Sequence, residues 1–182
     1  MTHRIFIAIN LPQDVKDELN FVLSSLKKKL KRTAIKWVNN NFHLTLHFLG
    51  NLEDDEIEKV SKILETTVQK YPKAQLKLGQ IGFFPNTQRP RVVFVNTTDS
   101  IEIRKLQTEL GRELREAGFN IDSRPWQPHL TLGRIHGPIA IEVFKKQEIK
   151  PIEFKMTSIE LMESELKPDG AVYRILKSFP LS

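Results

Sequence analysis

The 182-residue chain has no cysteine. That excludes a disulfide scaffold, a thiol nucleophile, an iron–sulfur cluster and any thiolate zinc site. It also fits a reducing compartment, and a cytoplasmic protein is expected. Glycine and proline are sparse, at 8 and 10 residues, which excludes a collagen-like or low-complexity chain. No stretch approaches the ~18–20 consecutive apolar residues of a membrane span, so no membrane partner is expected. The opening run RIFIAI is too short for the apolar core of a secretory signal and reads as a strand. What is present is the composition of a globule, 40% hydrophobic and 27% charged, with a net charge of +6. A positive excess favours anionic partners, nucleic acid foremost, although charge alone does not select it.

Strand and helix patterns alternate along the chain. Residues 4–9 form an apolar, β-branched run. A helix over 12–31 follows, with Val15, Leu19, Val22, Leu26 and Leu30 recurring every three to four residues. Lys27, Lys28, Lys29, Lys31 and Arg32 complement the dipole at its end and read as a solvated terminus in preference to an RNA patch. Strands at 35–38 and 42–49, a helix at 53–70 with an acidic first turn, and a strand at 74–84 complete the first half. The second half begins with a strand at 91–96 and a helix at 100–117. That helix is marked by the capping-box spacing of Asp99 and Glu102 and stopped by Gly118. A strand at 129–135, a short helix at 139–147, one long strand at 152–165 and a last strand at 171–178 follow, with a turn signal at Pro168, Asp169 and Gly170. This order predicts an α+β fold in a single domain over 1–182. Its two pseudo-symmetric β-α-β-α-β lobes divide near residue 90, and exchange of terminal strands between them stays open as a variant.

The tetrapeptide His-Leu-Thr-Leu occurs twice, in HLTLHFLG at 43–50 and in HLTLGR at 129–134, at matching places in the two lobes. Alternation along a strand sends His43 and Thr45 to one face and Leu44 and Leu46 to the other; His129 and Thr131 stand likewise over Leu130 and Leu132. With lobe symmetry, the two His/Thr pairs face each other across a cleft. Two imidazoles titrating near neutral pH can divide the roles of general base and general acid. Two hydroxyls suit the non-bridging oxygens of a phosphate. The chemistry expected is metal-free transfer or hydrolysis at a phosphodiester, with no cofactor. A three-histidine metal site formed with His47 is set aside, because neither motif carries a carboxylate.

The paired motifs, the second extended by Arg134, resemble the signature of the two-histidine (2H) phosphoesterases. Within that superfamily RIFIAI (4–9), HLTLHFLG (43–50), RPRVVF (89–94), HLTLGR (129–134) and the SEL…GAVY segment (164–173) are similar to the RNA 2′,3′-cyclic phosphodiesterases, earlier described as 2′-5′ RNA ligases. The resemblance spans nearly the whole chain. It implies a bilobed α+β fold with antiparallel sheets lining a central groove and helices outside. It further implies opening of a terminal 2′,3′-cyclic phosphate to a 2′-phosphate. In that pattern His43 is the acid, His129 the base, and Thr45, Thr131 and Arg134 contact the phosphate. Implied partners are RNA with cyclic phosphate ends or small cyclic nucleotides, for an enzyme expected to be monomeric. A 2′-5′ RNA ligase using the same site and a non-catalytic RNA-end-binding module are the alternatives. Matched imidazoles argue against the latter, since lysine or arginine would hold phosphate at any pH.

Strict alternation makes further assignments. It puts His47 on the face of His43, lining the groove or hydrogen-bonded there, and Phe48 on the leucine face, in the core. It sends Arg134 to the wrong face unless a bulge at Gly133 restores parity. Phe6 serves either the core or a base. Trp37 and Trp126 are expected to pack, Arg89 and Arg91 to guide phosphate or end a sheet, and His3 and His136 to lie exposed at strand ends.

Overall fold

A computed structural model of the chain describes residues 2–30, 34–38, 41–98, 100–167 and 170–182. Strand β1 (His3–Asn10) buries Ile5 to Ile9 and leads through Pro12 into α1 (Gln13–Lys29), which turns Val15, Leu19, Val22, Leu23 and Leu26 inward. The short β2 (Ile35–Trp37) precedes β3 (His43–Leu52). Helix α2 (Asp54–Val68) starts with a reciprocal cap in which the Glu53 amide donates to the Glu56 carboxylate at 2.8 Å. Then come β4 (Ala74–Phe84), β5 (Val92–Thr97) and α3 (Ile101–Glu116). The cap of α3 is the Ser100 hydroxyl, which accepts from the Ile103 amide at 3.2 Å. Asp99, assigned to that cap by spacing, lies outside the described residues, as do Lys31, Arg32, Pro168 and Asp169. Gly118, at φ +94°, turns the chain out of α3 as its position forecasts. The chain ends with β6 (His129–Ile135), α4 (Ile141–Lys145), β7 (Glu153–Met156), β8 (Ser158–Lys167) and β9 (Gly170–Pro180).

The single strand expected over 152–165 is two strands. β7 pairs antiparallel with β4, whereas β8 pairs with β1 in the other half of the sheet. The break at Thr157 coincides with a change of phase, because Phe154 and Met156 are buried on one side of it and Ile159 and Leu161 on the other. A strand's inward positions recur every second residue, so this slip from even to odd positions marks a new strand.

The strands form one path, β7-β4-β5-β6-β3-β1-β8-β9, with β2 added beside β6. Each half of the sequence contributes strands to both ends: β4 lies beside β5, and β8 lies beside β1. The two halves of the sheet meet at β3 and β6, through the antiparallel pair Leu44↔Leu130. The helices cover one face, with α2 beside α3 and α1 beside α4, and the main core lies between them and the sheet. The other face carries a small buried apolar cluster of Phe6, Ala8 and Met162, with Tyr173 against it. The antiparallel sheet and outer helices match the expected fold class. Among the described residues no helix is long and apolar enough to cross a membrane. His136 is exposed as expected, but His3 is half-buried between Glu163 at 2.6 Å and Asp54 at 3.3 Å.

Candidate active site

Leu44 and Leu130 are fully buried, and on either side of them His43, Thr45, His129 and Thr131 stand half-buried toward the face without helices. The antiparallel direction of the pair carries His43 toward Thr131 and Thr45 toward His129, a local twofold arrangement. The repeated tetrapeptide is thus brought together in space as well as in pattern.

Each imidazole is fixed by the same device. His43 Nδ1–H donates to the Asn41 carbonyl at 2.9 Å, and His129 Nδ1–H donates to the Gln127 carbonyl at 2.7 Å. A carbonyl can only accept, so Nδ1 holds the hydrogen and Nε2 of each neutral ring keeps a lone pair. Aromatic rings hold both histidines in place. His43 lies 4.9 Å from Phe6 and 4.8 Å from Tyr173, which meets it edge-on. His129 lies 4.9 Å from Phe84, also edge-on, and 5.3 Å from Phe94. Burial among these rings disfavours the charged form. It lowers the His43 pKa to about 4, against the pull of the Asn41 carbonyl and with a smaller contribution from His129. Burial lowers His129 in the same direction, opposed by the Gln127 bond.

Beyond the threonines the register departs from strict alternation, and several expectations change with it. In β3 the partners step from Ala8↔Thr45 to Ile7↔His47, leaving Leu46 as the extra residue of a bulge. In β6 they step from Phe94↔Thr131 to Val93↔Gly133, leaving Leu132. The bulge that Arg134 requires is therefore present, one residue before Gly133, and Arg134 is exposed on the site's face. The matching bulge in β3 reverses two assignments. His47 is 5% exposed on the helix side, its Nε2–H donating to the Gln107 carbonyl of α3 at 2.8 Å, and burial lowers its pKa. Phe48 is not a core residue; it is 59% exposed and leans on Phe6 with ring centroids 5.9 Å apart. Phe6 is 1% exposed, so it supports the site from below and offers no face to a base.

Two neighbours of the histidines, Tyr173 and Phe84, are missed by sequence reasoning. Phe84 comes from β4, two places outward from β6, and Tyr173 from β9, three places outward from β3, at sequence distances that no local pattern reports. Burial raises the Tyr173 pKa, and the charges of Arg134 and Arg4 act on it in the opposite sense, which sets Arg4 near the same face. Trp126 packs as expected and also donates from Nε1 to the Thr45 carbonyl at 2.9 Å, tying its loop to β3 beside the bulge. Trp37 is half-buried against the core. Arg89 and Arg91 are exposed, and the backbone of Arg91 ends the sheet through Phe84 and Ile135. Among the described residues no three His, Asp or Glu side chains form a metal-ligand group.

The family model of the 2′-5′ RNA ligase superfamily matches residues 25–168. The chain is 30% identical over 176 residues to an RNA 2′,3′-cyclic phosphodiesterase of Thermotoga maritima, covering 95% of this chain and 92% of that protein. It is 30% identical over 184 residues to the protein of that name in Methanocaldococcus jannaschii, covering 97% and 99%. A crystal structure from Thermus thermophilus superposes with a TM-score of 0.82 at 26% identity, over 97% of each chain. Escherichia coli LigT complexed with 3′-AMP shares the fold, with a TM-score of 0.81 at 24% identity over 100% of this chain and 99% of that one. The paired histidine strands thus stand in a chain that, over nearly its full length, belongs to the 2′-5′ RNA ligase superfamily of two-histidine phosphoesterases.

Proposed function

We propose that this protein is an RNA 2′,3′-cyclic phosphodiesterase that opens a terminal cyclic phosphate to a 2′-phosphate, with His43 and His129 as its catalytic pair. One observation carries the assignment of the pair. Both rings have Nδ1 committed to the main chain, and Nε2 has no hydrogen-bond partner among the described residues; the two rings stand on adjacent strands and the same face. The relatives' names support the substrate class.

In the reaction, His129 Nε2 takes a proton from water as the water oxygen attacks phosphorus. The bond from phosphorus to the 3′ oxygen breaks, and His43 gives that oxygen the proton held on its Nε2. One proton is taken and one given, so the pair ends with its charges exchanged and returns through solvent. The free protein holds both rings neutral at pH 7. The acid acquires its proton with the substrate, whose anionic phosphate favours an imidazolium beside it. The Thr45 and Thr131 hydroxyls donate to the non-bridging oxygens as negative charge builds there, and Arg134 adds a fixed positive charge. Phe48 offers its open face to the terminal base. The enzyme acts as a monomer in the cytoplasm, on RNA ends or small cyclic nucleotides, through its two His-x-Thr-x motifs, with no metal or cofactor.

The test is product identity. RNA ending in a 2′,3′-cyclic phosphate, incubated with the protein and excess chelator, should yield a 2′-phosphomonoester visible by phosphorus NMR. Activity that disappears with chelator and returns only with zinc or manganese contradicts the mechanism.

A further inference from the structure

The reaction assigned to the pair fixes where the sugar of the substrate lies. Water attacks phosphorus from the side of His129, and an in-line displacement sends the leaving 3′ oxygen to the opposite side, toward His43. The ribose carries that oxygen. Sugar, base and 5′ carbon therefore lie on the β3 side of the groove, where Phe48 already faces the base.

Strand β1 supplies a cation on that side. Its odd residues turn to the helices: His3 meets Asp54 of α2 at 3.3 Å, and Ile5 and Ile7 lie in the main core. Its even residues Phe6 and Ala8 belong to the cluster on the site's face. By the same alternation Arg4 stands on that face, exposed, two residues or ~7 Å of strand beyond Phe6. Phe6 itself lies 4.9 Å from the His43 ring and 5.9 Å from that of Phe48. Arg4 is thus the next side chain of β1 outward from the floor of the site.

Tyr173 reaches the same place from β9. It leans over the cluster to meet Phe6 at 5.2 Å and His43 at 4.8 Å, edge-on to both. Its hydroxyl has no hydrogen-bond partner among the described residues, and the charges of Arg134 and Arg4 both act on it, against the burial that raises its pKa. One of these guanidinium groups comes from each side of the groove. The reacting phosphate accounts for Arg134. It does not account for Arg4, which meets no carboxylate among the described residues, whereas Arg112, Arg124 and Arg174 are each ion-paired. A guanidinium and a hydroxyl without acceptors, on the side where the sugar lies, suit the oxygens of a second phosphate.

We propose that Arg4, with the Tyr173 hydroxyl, forms a subsite for the phosphate on the 5′ oxygen of the terminal nucleotide. In RNA that group is the last phosphodiester before the cyclic end, and in a small ligand it is a 5′-phosphate. The subsite rests on the phosphodiesterase reading, with His43 as the acid, for its direction, but its grip on a 5′-phosphate is separately measurable.

The experiment compares kcat/KM for a nucleoside 2′,3′-cyclic phosphate bearing a 5′-hydroxyl with that for the same compound bearing a 5′-phosphate. It uses the native chain, Arg4→Gln, Tyr173→Phe, which keeps the ring against His43, and Lys155→Gln, which removes one charge from β7 at the far end of the sheet. The native protein and Lys155→Gln should prefer the 5′-phosphorylated compound by about tenfold, as for one hydrogen-bonded charge. Arg4→Gln should lose most of that preference, and Tyr173→Phe part of it. The methyl ester of the 5′-phosphate, a diester as in RNA, separates the two sources: a preference kept by the ester means an RNA chain, and one confined to the free monoester means a small nucleotide. Equal kcat/KM for the first two compounds in the native protein, a preference unchanged in Arg4→Gln or Tyr173→Phe, or the same loss in Lys155→Gln overturns the subsite. If neither compound is opened, it is the catalytic reading that fails. Binding then decides: the native protein should hold a nucleoside 2′,5′-bisphosphate about tenfold more tightly than the 2′-phosphate and Arg4→Gln should hold the two alike, whereas equal binding by the native protein overturns the subsite.

Discussion

An imidazole that takes or gives a proton must leave one nitrogen to the substrate, and in the proposed pair, His43 and His129, a carbonyl two residues upstream leaves Nε2 for that part. The same burial that orders the rings lowers both pKa values, that of His43 to about 4. Catalysis needs one ring protonated and the other neutral, so kcat/KM should follow a bell whose limbs are the titrations of the pair in the free protein. Because both values are depressed, the bell should centre on the acid side of 6.5, whichever ring is the acid. The alkaline limb of kcat should lie higher than that of kcat/KM, since bound phosphate favours the imidazolium. A kcat/KM optimum above pH 7 contradicts this account of the rings. Stability follows with a determined sign. The unfolded state takes up protons near pH 6.5 that folded His43 refuses until about pH 4. The folded state's advantage is therefore full above 6.5 and lost as pH falls toward 4. Denaturant unfolding should show this fall, and His43→Gln should reduce it. Phe48 belongs to the same scale. Replacement by alanine should raise KM by about tenfold, as for loss of base stacking of ~1–3 kcal/mol, while Phe48→Tyr keeps it low. An unchanged KM for Phe48→Ala removes the ring from the site.

At the scale of elements, a bulge of one residue decides what a strand presents. The inserted Leu46 turns His47 onto α3, where its ring lies so close to Gly111 that a β-carbon there would stand 2.9 Å from His47 Cε1. Alanine in mid-helix ordinarily gains about 1 kcal/mol over glycine. Here Gly111→Ala should cost about 1–3 kcal/mol by overpacking, measured by urea unfolding, and His47→Ala should remove much of that cost. A stabilised Gly111→Ala contradicts the contact. In β6 the equivalent position is Gly133, against which Ile35 and Trp37 of β2 close, so the two strands divide the same space in opposite ways. This scale is the least legible in sequence. The histidine and threonine positions can be read because period-two alternation holds from His43 to Leu46 and from His129 to Leu132. One extra residue leaves no period of its own, so alternation exchanges His47 and Phe48, whereas Arg134 is recovered only because the family pattern that the second motif resembles puts an arginine on the phosphate. The division at Thr157 leaves a trace, the phase slip between Met156 and Ile159, but apolar residues alternating with polar ones on both sides of it read as one strand.

At the scale of the whole molecule, neither half of the sequence builds a complete half of the sheet. Exchange of β4 and β8 sets the aromatic neighbours of each histidine beyond local pattern: Phe84 comes from β4 and Tyr173 from β9, both far from the histidine they touch. The order of strands and helices is readable from periodicity and supports the fold class, but pairing between distant strands has no local signal. The join of the two halves at Leu44↔Leu130 is what brings the paired motifs into one site. The direct test is therefore to disable the motifs singly and together, measuring single-turnover opening of a cyclic-phosphate RNA by native protein, His43→Ala, His129→Ala and the double variant, with RNA binding followed in parallel. Each single variant should lose about 10²–10⁴-fold in rate and retain binding, and the double variant should lose far less than the product of the two, as groups acting in one step do. Opening at a near-native rate by either single variant contradicts the two-histidine mechanism.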